Sequence, residues 1–268
     1  MQTSPPLSAQ QLAEFSSFAQ TLADRVRPLS RKWFRHALSI DTKADASPVT
    51  QADREVEAAL REAITQRYPD HGIFGEEFGA LHAEAELVWS LDPIDGTRAF
   101  ISGNPLWGTL LALLHQGKPV LGVIDIPMLE ERWIGAAASP ARLNGEICRV
   151  SACTELRHAI LYATSPDIFE GAELAGFNAL AEAARMRRFG GDCYSYGLLA
   201  SGHVDLVVEA GLQPYDYLAL MPVIEGAGGV ITDWSGQPLC LESLGRVVAA
   251  ATPQLHRQAM RVLGAALT

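Results

Sequence analysis

Apolar residues near the start of the chain recur at helical spacing: Leu12, Phe15, Ala19, Leu22, Val26, Leu29 and Trp33. This is the signature of a long amphipathic helix. Ser8 with Gln11 forms a capping-box pattern ahead of it, Leu7 is a staple candidate, and Pro28 marks a possible bend. Residues 41–48 are polar and break the pattern; Thr50 is then placed to cap a second helix with Val56, Leu60 and Ile64 on one face, ending at Tyr68-Pro69. From there the pattern changes to short apolar runs. Ile73-Phe74 and residues 87–91 read as strands, and 110–114, 120–124 and 132–136 as consecutive antiparallel strands, with Asn144-Gly145 a hairpin signal. Beyond it the reading alternates: a strand near Ile160, a helix over 174–184, a strand near Met186, a helix over 194–201 stopped by Gly202, a strand over 205–209 and a helix from Asp216. That alternation predicts an α/β layer. A soft boundary near Asn144 divides the chain into an N-terminal α+β half, 1–144, and a C-terminal α/β half, 145–268.

Composition narrows the function classes. A chain of 268 residues with 48% hydrophobic content can fill a substantial core. A net charge of −10 argues against a nucleic-acid partner, because phosphate backbones are bound by clustered Lys and Arg. The longest apolar stretch, near 106–114, is far short of the roughly 20 residues a membrane helix needs. Cys148, Cys153, Cys193 and Cys240 form no C-x-x-C pair and show no zinc-type spacing with the seven histidines. Together with a Met1–Pro6 segment that lacks a signal peptide's basic and apolar parts, they predict reduced thiols in a cytoplasmic protein.

The candidate chemistry sits at strand ends. Asp92-Pro93-Ile94-Asp95-Gly96-Thr97 follows directly on the apolar run 87–91. Pro93 restrains the backbone and Gly96 permits a path closed to other residues, so the two acids are held together. Like charges this close repel unless a cation lies between them, and hard cations such as Mg2+ take oxygen ligands. Alone, the pattern is equally an acidic turn. The balance shifts because Gly75-Glu76-Glu77 and Pro214-Tyr215-Asp216 also follow strand-like runs, and buried carboxylates meeting in one fold need a counter-charge.

These motifs, G-E-E at 75–77, D-P-I-D-G-T at 92–97 and P-Y-D at 214–216, with Glu225-Gly226-Ala227-Gly228-Gly229 beyond, resemble the inositol monophosphatase-like family of Mg2+-dependent, lithium-sensitive phosphatases. The resemblance runs from about Val49 to about Gly236. Thr97-Arg98-Ala99-Phe100, Gly190-Gly191-Asp192-Cys193-Tyr194 and Tyr215-Asp216 look closer to its histidinol-phosphate phosphatases. The resemblance implies a layered αβαβα sandwich with the active site between the halves, a homodimer, and two or three Mg2+ per site. It implies Glu76, Asp92 and the Ile94 carbonyl as ligands of a first ion, with Asp95 and Asp216 completing a second site; Glu77 competes with Glu76. It pairs Asp53 with Thr97 to orient the attacking water, although Asp53 is equally placed as an ordinary helix N-terminal acid. Gly96 and Thr97 would hold a phosphate oxygen.

For the leaving group, Asp192 and Glu209 are candidates, with Asp45 a third; each is also plausible as a surface acid. Gly228-Gly229 reads as a helix cap rather than a phosphate loop. The expected activity is hydrolysis of a small phosphate monoester, histidinol phosphate first, by in-line attack of water without a phosphoenzyme. The alternatives are an inositol or broad sugar monophosphatase on the same scaffold and a non-enzymatic metal-binding scaffold protein.

Overall fold

The computed structural model describes residues 6–36, 40–42 and 48–267. The first helix, α1 (Ala9–Trp33), starts with the predicted capping box: the Gln11 N–H donates to the Ser8 hydroxyl and the Ser8 N–H to the Gln11 side chain. It runs unbroken through Pro28. Short strands β1 (Ile40–Thr42) and β2 (Pro48–Thr50) pair antiparallel, so the polar break after α1 is in part a ribbon. Helix α2 (Gln51–Arg67) is capped by Thr50.

Then come β3 (Gly72–Gly75), β4 (Gly79–Leu81), β5 (Leu87–Asp95), the short α3 (Thr97–Ser102), β6 (Gly108–His115), β7 (Lys118–Ile126), β8 (Glu131–Ala136), β9 (Arg142–Leu143) and β10 (Glu146–Ile147). They form an eight-stranded sheet in the order β10-β9-β8-β7-β6-β5-β3-β4, in which β3 and β5 run parallel. Asn144-Gly145 turns β9 into β10. Because β10 still belongs to this sheet, we draw the division between the halves after Ile147.

The second half contains β11 (Ile160–Ala163), α4 (Gly171–Ala183), β12 (Met186–Phe189), α5 (Tyr194–Ala200), β13 (Leu206–Glu209), α6 (Pro214–Tyr217), α7 (Leu220–Gly226), β14 (Val230–Asp233), β15 (Val247–Ala250) and α8 (Pro253–Leu267). Its five-stranded sheet has the order β12-β11-β13-β15-β14. The helix expected from Asp216 is two helices, α6 and α7. At the end of α7 the Gly228 N–H donates to Glu225 and the Gly229 N–H to Ile224, the paired closure of a helix C-terminus. Strands β14 and β15 and helix α8 had no counterpart in the sequence reading.

Strand periodicity explains the layering. Along β5 and β6, Trp89, Leu91, Leu111 and Leu113 face α1 and α2, while Val88, Leu110, Ala112 and Leu114 face α5, α6 and α7. On β13 and β15, Val207, Val247 and Ala249 point toward that same central helical layer, and Leu206, Val208, Val248 and Ala250 toward α4 and α8. Both sheets are therefore buried on both faces, which is why their strands read as continuous apolar runs. The result is an αβαβα sandwich. Asp125, fully buried on β7, ties the outer helix to the sheet by accepting from Arg27 of α1 and Arg132 of β8. Removing one partner of such a buried pair costs about 3–5 kcal/mol.

Candidate active site

Residues i and i+3 of a regular strand point to opposite faces, so the apolar alternation of β5 cannot by itself bring Asp92 and Asp95 together. The register shows how it happens. Asp92 pairs with Leu110 and Asp95 with Gly108, a shift marking a bulge between them, and a bulge re-aims the side chains that follow it. The Thr109 hydroxyl holds the bulged segment by donating to the Pro93 carbonyl at 2.9 Å. Gly96 then turns the chain into α3 at φ +81°, a left-handed conformation that other residues adopt at a cost. A Cβ there would also lie 3.0 Å from the Asp192 carboxyl carbon.

Three of the predicted acids converge. Carboxylate oxygens of Asp92, Asp95 and Asp216 lie within 4.8 Å of one another, although they come from β5 and α6. Each accepts from a main-chain N–H: Asp92 from Ile94 at 3.0 Å, Asp95 from Cys193 at 2.7 Å, and Asp216 from Gln213 at 2.7 Å. Burial, and then the charges of Glu76, Asp95 and Asp216, push the Asp92 carboxyl well above its ordinary value. Burial followed by Asp95 does the same to Asp216, and burial raises Asp95 against the opposing pull of Cys193. Glu76 stands beside Asp92 and joins the cluster. These groups strain toward neutrality for want of positive charge, and the donor set is all oxygen. That chemistry fits a hard divalent cation such as Mg2+ and not a thiophilic one. Cys193 meets Asp95 with its thiol as well as its N–H, and burial followed by Asp95 pushes that thiol pKa well up.

Glu76 is positioned by a residue the sequence reading missed. Glu57, fully buried on α2, accepts from the Glu77 N–H at 2.7 Å and the Phe78 N–H at 3.2 Å, and Arg61 donates to it at 2.7 Å. A Cβ on Gly75 would collide with this carboxylate at 2.1 Å, so the glycine of G-E-E is needed for close approach. The available signal was the spacing: Asp53 and Glu57, four apart, share one helix face.

Asp53 reaches both the cap of α2 and Thr97. Its Oδ2 accepts from the Thr50 N–H at 2.9 Å and the Thr50 hydroxyl at 2.5 Å, completing the cap of α2, while Oδ1 lies 3.4 Å from the Thr97 hydroxyl. The single Thr97 proton has a second acceptor, the Ile94 carbonyl at 3.2 Å.

Asp192 and Glu209 line a cavity of about 160 Å3 whose wall also includes Asp95 and Asp216. Glu209 is buried, and its Oε1 accepts from both the N–H and the hydroxyl of Thr164, each at 2.7 Å. Burial pushes its carboxyl up to about 7 despite the Thr164 bonds, with Asp95 adding to the rise. Asp192, at φ +43°, is pushed to about 8 by burial, Asp95 and Glu209, with Arg98 opposing. Neither is a solvated surface acid. Asp45 lies outside the described residues, and Glu77 gives its N–H to Glu57.

A layered αβαβα fold with an all-oxygen acid cluster in a cleft between its sheets defines the class: phosphatases of the metal-competent sandwich type. The chain matches the model of the inositol monophosphatase family over residues 11–267 and belongs to that family, whose members are phosphoric monoester hydrolases. It is 46% identical to the chloroplastic bifunctional phosphatase IMPL2 of Arabidopsis thaliana over 96% of this chain and 77% of that protein. A histidinol-phosphatase of Chlorobaculum parvum is 36% identical over 86% of this chain and 90% of its own. Among solved structures, an inositol monophosphatase from Zymomonas mobilis superposes with a TM-score of 0.88 at 45% identity, over 96% of this chain and all of that one. No described helix is long and apolar enough to cross a membrane.

Proposed function

We propose that this chain hydrolyses histidinol phosphate to histidinol and phosphate. The observation that carries the reading is the placement of the buried Glu209 and the half-buried Asp192 in the same small cavity as Asp95 and Asp216. A leaving group with an ammonium and an imidazole suits such acids better than a neutral polyol does. Ile168, Leu212 and Leu220 also line the wall, apolar surface suited to the faces of a ring. The histidinol-phosphatase relative supports the same reading.

In this proposal Glu76, Asp92 and the Ile94 carbonyl hold one Mg2+, and Asp95 with Asp216 hold a second. Bound there, the ions supply charge neutralisation and lower the pKa of the attacking water. The chain's own groups do the rest. Thr97 and Asp53 orient that water, its proton passing to the Thr97 oxygen as the Thr97 proton passes to Asp53. N–H groups at Gly96 and Thr97 hold a phosphate oxygen. The water oxygen bonds phosphorus as the ester P–O bond breaks, the departing alcohol oxygen takes a proton from solvent, and Asp53 returns the proton it gained to solvent. Assembly as a homodimer and residence in the cytoplasm belong to the same proposal.

A second reading, a broad inositol or sugar monophosphatase, is favoured by the similarity to the Zymomonas mobilis enzyme. The test is kcat/KM for histidinol phosphate against inositol phosphate, in the wild type and in Glu209→Gln and Asp192→Asn. A charge-assisted hydrogen bond contributes about 1.5–3 kcal/mol, or roughly 10- to 150-fold. Each variant should lose that much on histidinol phosphate and little on an uncharged ester. Equal losses on both substrates would defeat the reading.

A further inference from the structure

Burying a phenol without a hydrogen-bond partner is costly, of the order of 1–3 kcal/mol, and a fold keeps such a group only where something else satisfies it. Tyr196 of α5 is 1% exposed, and its hydroxyl has no partner among the described residues. Ser90, Trp107 and Ser195 also carry unpartnered buried polar atoms, but none of them lines the cavity at the acid cluster. Tyr196 does, together with Glu209 and Asp95. The ring is fixed within the apolar cluster formed by α5, α6 and α7 against the sheets, so the hydroxyl has little freedom to find a partner elsewhere. Glu209 is its foremost electrostatic neighbour, followed by Asp95 and Asp216.

The two groups have complementary hydrogen-bonding capacity. Glu209 uses Oε1 for both Thr164 bonds, which leaves Oε2 to the cavity as an acceptor. The Tyr196 hydroxyl keeps its proton at neutral pH and is a donor. A neutral imidazole presents one N–H donor and one bare nitrogen acceptor on opposite sides of a flat ring. A polyol presents hydroxyls all round, each able to donate, and has no need of a dedicated donor from the protein.

We infer that the Tyr196 hydroxyl is a specificity-determining donor, bonding the bare imidazole nitrogen of the substrate while Glu209 accepts from the ring N–H. This rests on the histidinol-phosphate reading and assigns its ring recognition to a residue outside the acid pair. No bond in the reaction changes at Tyr196. It acts on the alcohol end of the substrate and leaves the phosphoryl end to the acids and Thr97.

The experiment compares wild type and Tyr196→Phe in the Mg2+-loaded protein, with kcat and KM measured separately for histidinol phosphate and for glycerol phosphate, which has no ring nitrogen. Thermal unfolding of both proteins in chelator is the control. Loss of one hydrogen bond lowers kcat/KM on histidinol phosphate by about tenfold, carried by KM because the contact is present in ground and transition states alike. Glycerol phosphate should change by less than about twofold. The unfolding temperature without metal should stay level or rise, since the variant removes an unsatisfied group. An equal loss on both esters, or no loss on histidinol phosphate, overturns the assignment. So does a fall in unfolding temperature, because it would mean the hydroxyl is satisfied within the fold. A wild type that prefers inositol phosphate overturns the substrate reading itself, whereas a wild type that prefers histidinol phosphate, matched by an unimpaired Tyr196→Phe, overturns only the role of Tyr196.

Discussion

At one end of the site, Asp92, Asp95 and Asp216 crowd their carboxylates within 4.8 Å, and each is gripped by a backbone N–H. At the other end, Glu209 is held through Thr164, Asp192 sits in a left-handed turn, and the Tyr196 hydroxyl has no partner among the described residues. The first end is a property of the main chain: a bulge, an α6 cap and a turn fix where the acids point. The second is assembled from side chains on β13, α5 and the segment after β11. On the proposed function, the phosphoryl chemistry stays fixed while the alcohol end is altered by single substitutions. This separation is the feature the following predictions set out to break.

The largest effect should come from Asp95→Asn. It removes one charge from the cluster at constant size, so the barrier rises by several kcal/mol and turnover falls about a thousandfold or more at saturating Mg2+. The metal-free fold should be no less stable, because one of several repelling acids is gone. Parallel kinetics and chelated melting curves check both halves; near wild-type turnover would remove Asp95 from the metal end.

Stability against pH comes next. Glu209 keeps its proton in the folded, metal-free protein up to about 7, against an ordinary value of 4.5. Between those values the folded state binds more protons than the unfolded one, so stability falls as pH rises. Its contribution is fully present below pH 4.5 and is lost by pH 7, a loss of about 3 kcal/mol at 1.36 kcal/mol per unit. Asp192, raised to about 8, acts in the same direction. Denaturant titrations in chelator at pH 5 and pH 7.5 read this out, and added Mg2+ should offset the loss at the higher pH. A metal-free protein that gains stability over this range would contradict the assigned burial of the alcohol end.

Glu57→Gln should produce a smaller, different change. Glu57 orders the turn that follows Glu76 by accepting from the Glu77 and Phe78 N–H groups. The variant should raise the Mg2+ concentration for half-maximal activity by about tenfold, the order found when outer partners of metal ligands are lost. With kcat at saturating Mg2+ largely kept, calorimetric titration of Mg2+ would show the same weakening. A variant that loses kcat and binds Mg2+ normally would place Glu57 in the chemistry instead.

The two ends also differ in how far the sequence exposes them. The acids of the proposed metal end sit inside contiguous strings, D-P-I-D-G-T and P-Y-D, directly after apolar runs, so strand ends and the converging carboxylates were legible together. The bulge between Asp92 and Asp95 was not, because register depends on the partner strand. The partners of the alcohol end were hidden for a related reason: Thr164 precedes Glu209 by 45 positions and carries no motif. The Tyr196 position reads as an ordinary apolar site of a short helix. In the fold, β5 and β6 were legible because burial on both faces leaves unbroken apolar runs, whereas β14 (Val-Ile-Thr-Asp) and β15 (Val-Val-Ala-Ala) carry only two β-branched apolar residues each. Helix α8 begins at Pro253, a start signal the reading passed over.

The central claim is that the acid cluster works through a divalent cation held by oxygen ligands. Its most direct test is phosphate release from histidinol phosphate and from glycerol phosphate by the exhaustively chelated protein, before and after Mg2+ is restored. The account predicts no release of phosphate from either ester in chelator and full recovery with Mg2+. Undiminished release in chelator, or recovery with stoichiometric Zn2+ alone, would contradict it.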